Sequence, residues 1–120
     1  MIMDKFTVTL PLTGEYLTTV RLTTGGICAL AGFDVDSTED FKVCVTESLL
    51  ILKRNGFKNA SIVFAVGEAL GCEICGIQPC GEKIEEMEEE ISKALLSALL
   101  GKVDFVKNPE GKVERIAFEG

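Results

Sequence analysis

The spacing of apolar residues in the first third of the chain predicts one strand followed by one helix. Residues 5–10 alternate polar and apolar, so their apolar side chains share one face, as in a half-buried strand. Between residues 15 and 31 apolar side chains recur every three or four positions, which is the period of a helix. Gly32 then occupies the position at which a left-handed cap ends many helices.

A second helix is predicted from residue 36 onward. Asp36 followed by Glu39 resembles a capping box, the reciprocal pairing of side chains that begins many helices. Asn55 and Gly56 end the helical period. The predicted buried stripe of this helix consists of Phe41, Cys44, Val45, Leu49 and Leu52.

The second half of the chain predicts two hairpins separated by a helix. Residues 60–66 and 70–77 form the first pair of strands, and residues 103–106 and 113–118 form the second pair. The intervening helix covers residues 83–100 and has the clearest helical period in the chain. Its predicted buried stripe consists of Ile84, Met87, Ile91, Ala94, Leu95, Ala98 and Leu99.

The predicted order of elements is β-α-α-β-β-α-β-β. This order indicates the α/β class, as an α+β sandwich with a mixed, mostly antiparallel sheet and its helices on one face. The length of 120 residues fits one domain, so residues 1–120 are expected to form a single unit.

Composition and charge exclude several kinds of function. The formal net charge is −7, and nucleic-acid affinity comes largely from Lys and Arg, so we expect no nucleic-acid partner. We also expect no membrane association and a cytoplasmic location, because the sequence has neither a long apolar run nor the pattern of a signal peptide. The chain contains no histidine, which removes imidazole from every mechanism considered.

A family resemblance begins in residues 20–57, which read VRLTTGGICALAGFDVDSTEDFKVCVTESLLILKRNGF. This stretch resembles the first two helices of the anti-sigma-factor serine kinases, which belong to the histidine-kinase-like (GHKL) ATPase superfamily. Residues 91–118 resemble the last helix and hairpin of the same domain. The resemblance implies a histidine-kinase-like ATPase fold with ATP and magnesium, homodimers, and a protein partner that is a sigma factor or a small antagonist domain.

The residues that bind nucleotide in that family are only partly matched. Glu47 matches the family's general base and is therefore the predicted catalytic residue. Four residues later the family has an Asn that helps to hold magnesium, whereas this chain has Ile51, whose aliphatic side chain cannot ligate a hard cation. Asn55 lies two helical turns from Glu47 and is a poor substitute by position.

Two other parts of the family's nucleotide site are missing from the sequence. The family's adenine-binding Asp has no counterpart, because residues 75–81 contain neither Asp nor Glu. Only about seven residues separate Ile77 from Ile84, which is too few for the family's ATP lid. Six glutamates between residues 82 and 90 also occupy the helix N-terminus, where the triphosphate would otherwise find a favourable field.

These departures favour a degenerate relative, a pseudokinase that binds a protein partner without ATP or another cofactor. The first alternative is an active serine/threonine kinase that uses ATP and magnesium at an atypical site, with Glu47 as its base. The acidic run of residues 82–90 is interpreted either as a solvated helix face or as a docking surface for a basic partner.

Cysteines provide the second alternative, a metal or redox protein. Cys72, Cys75 and Cys80 follow the spacing C-x2-C-x4-C, and closely spaced thiolates bind zinc or iron–sulfur clusters. The fourth ligand is missing, and residues three apart on a strand point to opposite faces, so such a site would need a bend or a second subunit. Cys28 and Cys44 lie on the apolar faces of their helices and are predicted core residues.

Overall fold

A computed structural model describes residues 4–79 and 87–120 of the chain. Its elements follow the predicted order β-α-α-β-β-α-β-β, which is confirmed. They are β1 (Asp4–Pro11), α1 (Gly14–Leu30), α2 (Val35–Arg54), β2 (Phe57–Val66), β3 (Leu70–Pro79), α3 (Met87–Leu100), β4 (Val103–Lys107) and β5 (Val113–Glu119). The predicted start of the third helix, at residue 83, lies outside the described residues.

The strands form one five-stranded sheet in the order β1-β2-β3-β5-β4. Every described pair of neighbouring strands is antiparallel. The sequence had predicted a mixed, mostly antiparallel sheet, so its antiparallel part is confirmed and its parallel part is wrong. The register aligns one apolar residue from each strand in a row across the sheet. This row consists of Val8, Ile62, Ile74, Ile116 and Phe105.

The core lies between one face of this sheet and the helices, as predicted. Helix α2 packs against the sheet and contacts both α1 and α3. All five residues of its predicted stripe are buried, which confirms that prediction. The opposite face of the sheet carries polar residues, including Glu73 and Arg115, which form an ion pair of 3.0 Å between β3 and β5. No described helix is both long enough and apolar enough to cross a membrane.

The ends of α1 and α2 show one correct and one wrong prediction about capping. Gly32 has a φ of 81°, so it is the left-handed residue that closes α1, as expected. The predicted capping box at Asp36 is wrong, because the N-cap of α2 is Asp34. The carboxylate of Asp34 accepts a hydrogen bond of 2.7 Å from the Ser37 N–H, and this bond lowers the pKa of Asp34.

The predicted buried stripe of α3 is also wrong within the described residues. Ser92 and Leu96 are buried, and Leu100 packs partly against the core. Ile91, Leu95 and Leu99, which the spacing had placed in the core, are exposed to solvent. The helix is therefore rotated about its own axis by roughly 100°, the angle between successive residues, from the predicted orientation.

Candidate functional site

Glu47, the predicted catalytic residue, lies on α2 where that helix faces α3. Its carboxylate Oε2 accepts a hydrogen bond of 2.7 Å from the hydroxyl of Ser92. The Ser92 hydroxyl in turn accepts a hydrogen bond of 2.6 Å from Nη2 of Arg54. Ser92 is only 4% exposed, so this polar chain is largely shielded from water and joins the two helices. Glu47 therefore participates in helix packing.

Ile51 follows Glu47 by one helical turn, at the position of the family's magnesium-binding Asn. Its side chain is 0% exposed and belongs to the hydrophobic core. A metal ion at this position would have to replace core packing, and an aliphatic side chain offers no oxygen ligand. At position 51, α2 therefore has no counterpart to the family's magnesium-binding Asn.

Asn55, the residue considered as a substitute ligand, has a structural role. Its side-chain Nδ2 donates a hydrogen bond of 2.7 Å to the carbonyl of Ile51, and its Oδ1 accepts one of 3.0 Å from the N–H of Val113. The side chain is fully buried and connects the end of α2 to the first residue of β5. The sequence had indicated that Asn55 ends a helix, but not that its side chain binds the backbone of β5.

A shallow cleft of about 340 Å³ opens between α1 and α2 beside Glu47. Arg21 Nε donates a hydrogen bond of 3.3 Å to Thr46 Oγ1, and Lys42 Nζ lies 3.2 Å from Glu39 Oε1. Two cations and two carboxylates thus line the cleft, so their formal charges cancel. The cleft is polar, but it lacks the excess of positive charge that a triphosphate would require.

The far end of β3, where the family has its adenine-binding Asp, is closely packed in this chain. Gly76 lies under the ring of buried Phe57, and a Cβ added at Gly76 would collide with that ring. The aromatic side chain therefore occupies the space above the strand at this position. The predicted loss of the ATP lid concerns the connection from β3 to α3, in which residues 80–86 lie outside the described residues.

The structure places two of the three candidate metal-binding cysteines on opposite faces of the sheet. Cys72 faces the core and is buried, which raises the pKa of its thiol well above the ordinary value. Cys75 is on the open face, where its Sγ lies 3.7 Å from Oε1 of Glu73. Burial is the main cause that raises the pKa of Cys75, and the Glu73 carboxylate adds to it.

Cys72 and Cys75 are therefore not brought together, and Cys80 lies outside the described residues. Within residues 4–79 and 87–120, no group of three potential ligands has the geometry of a metal site. The metal hypothesis stays a prediction. Cys28 and Cys44 are both fully buried on their helices, so their prediction as core residues is confirmed.

Sequence comparison finds partial similarity to bacterial kinases. The chain is 38% identical over 55 residues to the serine-protein kinase RsbW of Listeria monocytogenes and of Listeria innocua, covering 46% of this chain and 35% of each relative. It is 33% identical over 58 residues to the RsbW of Staphylococcus epidermidis, covering 48% of this chain and 36% of that protein. The chain thus matches only about a third of the length of these relatives. No family model matches the chain.

Similarity to serine-protein kinases over about half of the chain agrees with the family that the sequence resembles. Ser92, which donates a hydrogen bond to Glu47, and Arg54, which donates one to Ser92, were not identified from the sequence. The available signal was a serine on α3 in a helix otherwise rich in apolar residues, since a polar residue on a buried helix face needs a hydrogen-bonding partner.

Proposed function

We propose that this chain is an anti-sigma-factor-like regulatory protein that acts by binding a protein partner and needs no bound nucleotide. The observation that carries the proposal is the burial of Ile51. Ile51 is 0% exposed and lies in the core at the position of the family's magnesium ligand. This burial favours a helix whose residues at that position serve packing and not metal binding. Function follows the site and not the fold, so the kinase-like architecture does not by itself imply kinase activity.

Two more contacts support the same function. Glu47 Oε2 accepts a hydrogen bond from Ser92, so this carboxylate contributes to the contact between α2 and α3. The Phe57 ring covers Gly76 where the family has its adenine-binding strand end. Each contact strengthens the fold at a position where a nucleotide-binding relative would leave polar groups available to ATP.

The partner expected under this proposal is a sigma factor or the small antagonist domain of an anti-sigma factor. Regulation would then consist of exchanging one protein partner for another, without transfer of phosphate. The chain's charge of −7 favours a partner with a basic surface, because complementary charge accelerates association and excludes acidic competitors.

Calorimetric titration of the full chain with magnesium-ATP, paired with thermal unfolding, tests this function. We expect no binding heat and no change in Tm at about 1 mM nucleotide. A site with a dissociation constant near 10 µM would stabilise the native state by about 2.7 kcal/mol under those conditions, which the thermal experiment would detect. An RsbW kinase treated identically is the positive control, and clear binding to this chain would contradict the proposal.

The second candidate function is an ATP-dependent serine kinase, favoured by the similarity to proteins that bear that name. It requires magnesium-ATP binding and phosphate transfer to a serine of the partner. It also requires that Glu47→Gln abolish transfer, while Asp36→Asn, an exposed change at the start of the same helix, preserves it. Transfer that survives Glu47→Gln would exclude Glu47 as the base.

A further inference from the structure

The sheet has two edge strands, β1 and β4, and they differ in how well they could accept a further strand. In an antiparallel pair, successive residues direct their backbone groups alternately to the neighbouring strand and away from it. Every second residue of an edge strand therefore presents its N–H and C=O outward, where another extended chain can pair with them.

The outward backbone groups of β4 belong to Val103 and Phe105. The Gly120 N–H donates a hydrogen bond of 2.9 Å to the carbonyl of Leu70, so the even-numbered residues of β5 direct their backbone groups to β3. The odd-numbered residues of β5 then pair with β4, and their partners are the residues on either side of Phe105. Among the described residues, no backbone group outside the sheet pairs with Val103 or Phe105.

The outward row of β1 is interrupted by a proline. The Leu12 N–H donates a hydrogen bond of 2.9 Å to the carbonyl of Lys58, so the even-numbered residues of β1 face β2 and the odd-numbered ones face outward. Pro11 is one of the outward residues and has no N–H to donate. Proline on an edge strand hinders the addition of another strand, whereas β4 contains none. Strand β4 is therefore the more accessible edge.

A shallow groove of about 580 Å³ lies along β4 and the neighbouring part of β5. Residues 103–106 line it together with Arg115 and Ala117. Val106 is 39% exposed, so the middle of β4 presents apolar surface to this groove. A strand added here would gain apolar contact in addition to backbone hydrogen bonds.

Three lysines surround this edge. Lys102 precedes β4, Lys107 ends it, and Nζ of Lys93 lies 5.7 Å from the centre of the Phe105 ring. None of these lysines forms an ion pair with another described residue. Residues 102–107 hold two lysines and one aspartate, in a chain whose formal charge is −7. The edge is therefore locally positive and attracts negative charge.

We propose that β4 binds an extended segment of a protein partner by strand addition, and that this segment has an apolar centre and acidic ends. Lys102 and Lys107 are five positions apart, which is about 17 Å along a strand, and the acidic ends should have the same spacing. A second copy of β4 is a poor occupant. Antiparallel pairing of two such strands would bring Lys102 of one copy close to Lys107 of the other.

This inference goes beyond the function proposed above, because it names a contact surface and the chemistry of the segment that fits it. The net charge of the whole chain favours basic surfaces at long range, whereas β4 is a local exception that selects an acidic segment at contact. A chain that binds nucleotide could use the same edge. Titration with magnesium-ATP and titration with an acidic peptide can therefore fail independently.

Fluorescence anisotropy of the full chain with a synthetic peptide tests the proposal. The probe is fluorescein-labelled Glu-Glu-Val-Thr-Val-Glu-Glu, for which we expect saturable binding below about 1 mM. A peptide with lysine in place of every glutamate should bind about tenfold more weakly or less, because its charge is reversed. A peptide N-methylated at its three central residues should lose as much, because it cannot donate hydrogen bonds to β4.

One charge reversal in the protein tests the position of the site. Lys102→Glu should weaken binding of the acidic peptide about tenfold and strengthen binding of the lysine peptide. Lys58→Glu is the matched control, since it changes the net charge equally at an exposed residue of β2, which is not adjacent to β4. Circular dichroism of both variants confirms that the fold is intact.

Amide hydrogen exchange, followed by NMR, locates the bound peptide. Saturating peptide should slow exchange of the Phe105 N–H about tenfold or more and leave the outward N–H of Thr7 on β1 unchanged. The proposal is overturned by the absence of binding at about 1 mM peptide or by equal binding of the N-methylated peptide. It is also overturned if Lys58→Glu weakens binding as much as Lys102→Glu, or if the peptide protects Thr7 in place of Phe105.

Discussion

Helices α2 and α3 have similar hydrophobic spacing, yet they present that spacing to opposite environments. The predicted stripe of α2 is completely buried, including Phe41 and Leu49. From Ile91 onward the predicted stripe of α3 is exposed, and the residues one position later, Ser92 and Leu96, are buried in its place. Spacing therefore identifies an apolar face, but it does not decide whether the core or another surface will cover that face.

The difference arises from what each helix can contact. Helix α2 lies in the middle of the helical layer, between α1 and α3 and against the sheet, so its apolar stripe faces the core. Helix α3 lies beside α2 and close to β4, and the hydrogen bond from Ser92 to Glu47 fixes one of its sides against α2. Because apolar residues occur all around α3, this polar contact can decide its rotation.

The largest expected effect comes from truncating one large apolar side chain on each helix. Leu49→Ala on α2 should lower the free energy of unfolding by about 2–5 kcal/mol, since Leu49 is fully buried and a cavity would remain. Ile91→Ala on α3 should cost less than about 1 kcal/mol, because Ile91 is largely exposed. Urea unfolding at low protein concentration measures both. Equal costs would mean that Ile91 is packed as closely as Leu49, contrary to its exposure in the structure.

Most of the fold could be predicted from the sequence, because local patterns determine it. Alternation in residues 5–10, the glycine after α1 and the stripe of α2 each identified an element that the structure contains. The capping of α2 could not be decided in the same way, because Asp34 and Asp36 both precede the helix closely and either could accept an N–H. Only backbone geometry distinguishes them.

The candidate site was less predictable, because its contacts join residues that are distant along the chain. Glu47 and Ser92 are 45 positions apart, and the Val113 N–H that binds Asn55 is 58 positions from it. No local pattern encodes such pairs. The family resemblance of residues 20–57 singled out Glu47, whereas its hydrogen bond with Ser92 became visible only in the packing of α2 against α3.

The buried Cys44 thiol on α2 should make the free energy of unfolding depend on pH in the alkaline range. Burial raises the pKa of the Cys44 thiol to about 12, and the nearby carboxylates of Asp40 and Glu47 contribute. The unfolded thiol loses its proton near pH 9, while the native thiol keeps it, so the free energy of unfolding falls as pH rises above about 9. Each such thiol contributes a slope of at most about 1.4 kcal/mol per pH unit.

Unfolding experiments from pH 7 to pH 10.5, in the presence of a reducing agent, would measure this slope. Cys44→Ala should make the slope shallower above pH 9 and leave it unchanged below pH 8, where the thiol is protonated in both states. Cys28, whose pKa burial raises to about 11, and Cys72, whose pKa burial raises well above its ordinary value, act in the same direction and leave a residual slope. The Ile91→Ala variant on α3 should retain the full slope, and equal slopes in the native and Cys44→Ala proteins would exclude the mechanism.

The smallest expected effect is also the one that tests the role of Glu47 most directly. A double-mutant cycle of Glu47→Ala and Ser92→Ala should give a coupling energy of about 0.5–1.5 kcal/mol, because the two side chains share a hydrogen bond of 2.7 Å. Urea unfolding of the two single variants and the double variant provides this energy. Glu39→Ala combined with Ser92→Ala is the control and should show no coupling, since Glu39 lies at the exposed start of the same helix. A coupling near zero for Glu47 would mean that its hydrogen bond to Ser92 does not stabilise the fold, which would remove one of the contacts that support the partner-binding function.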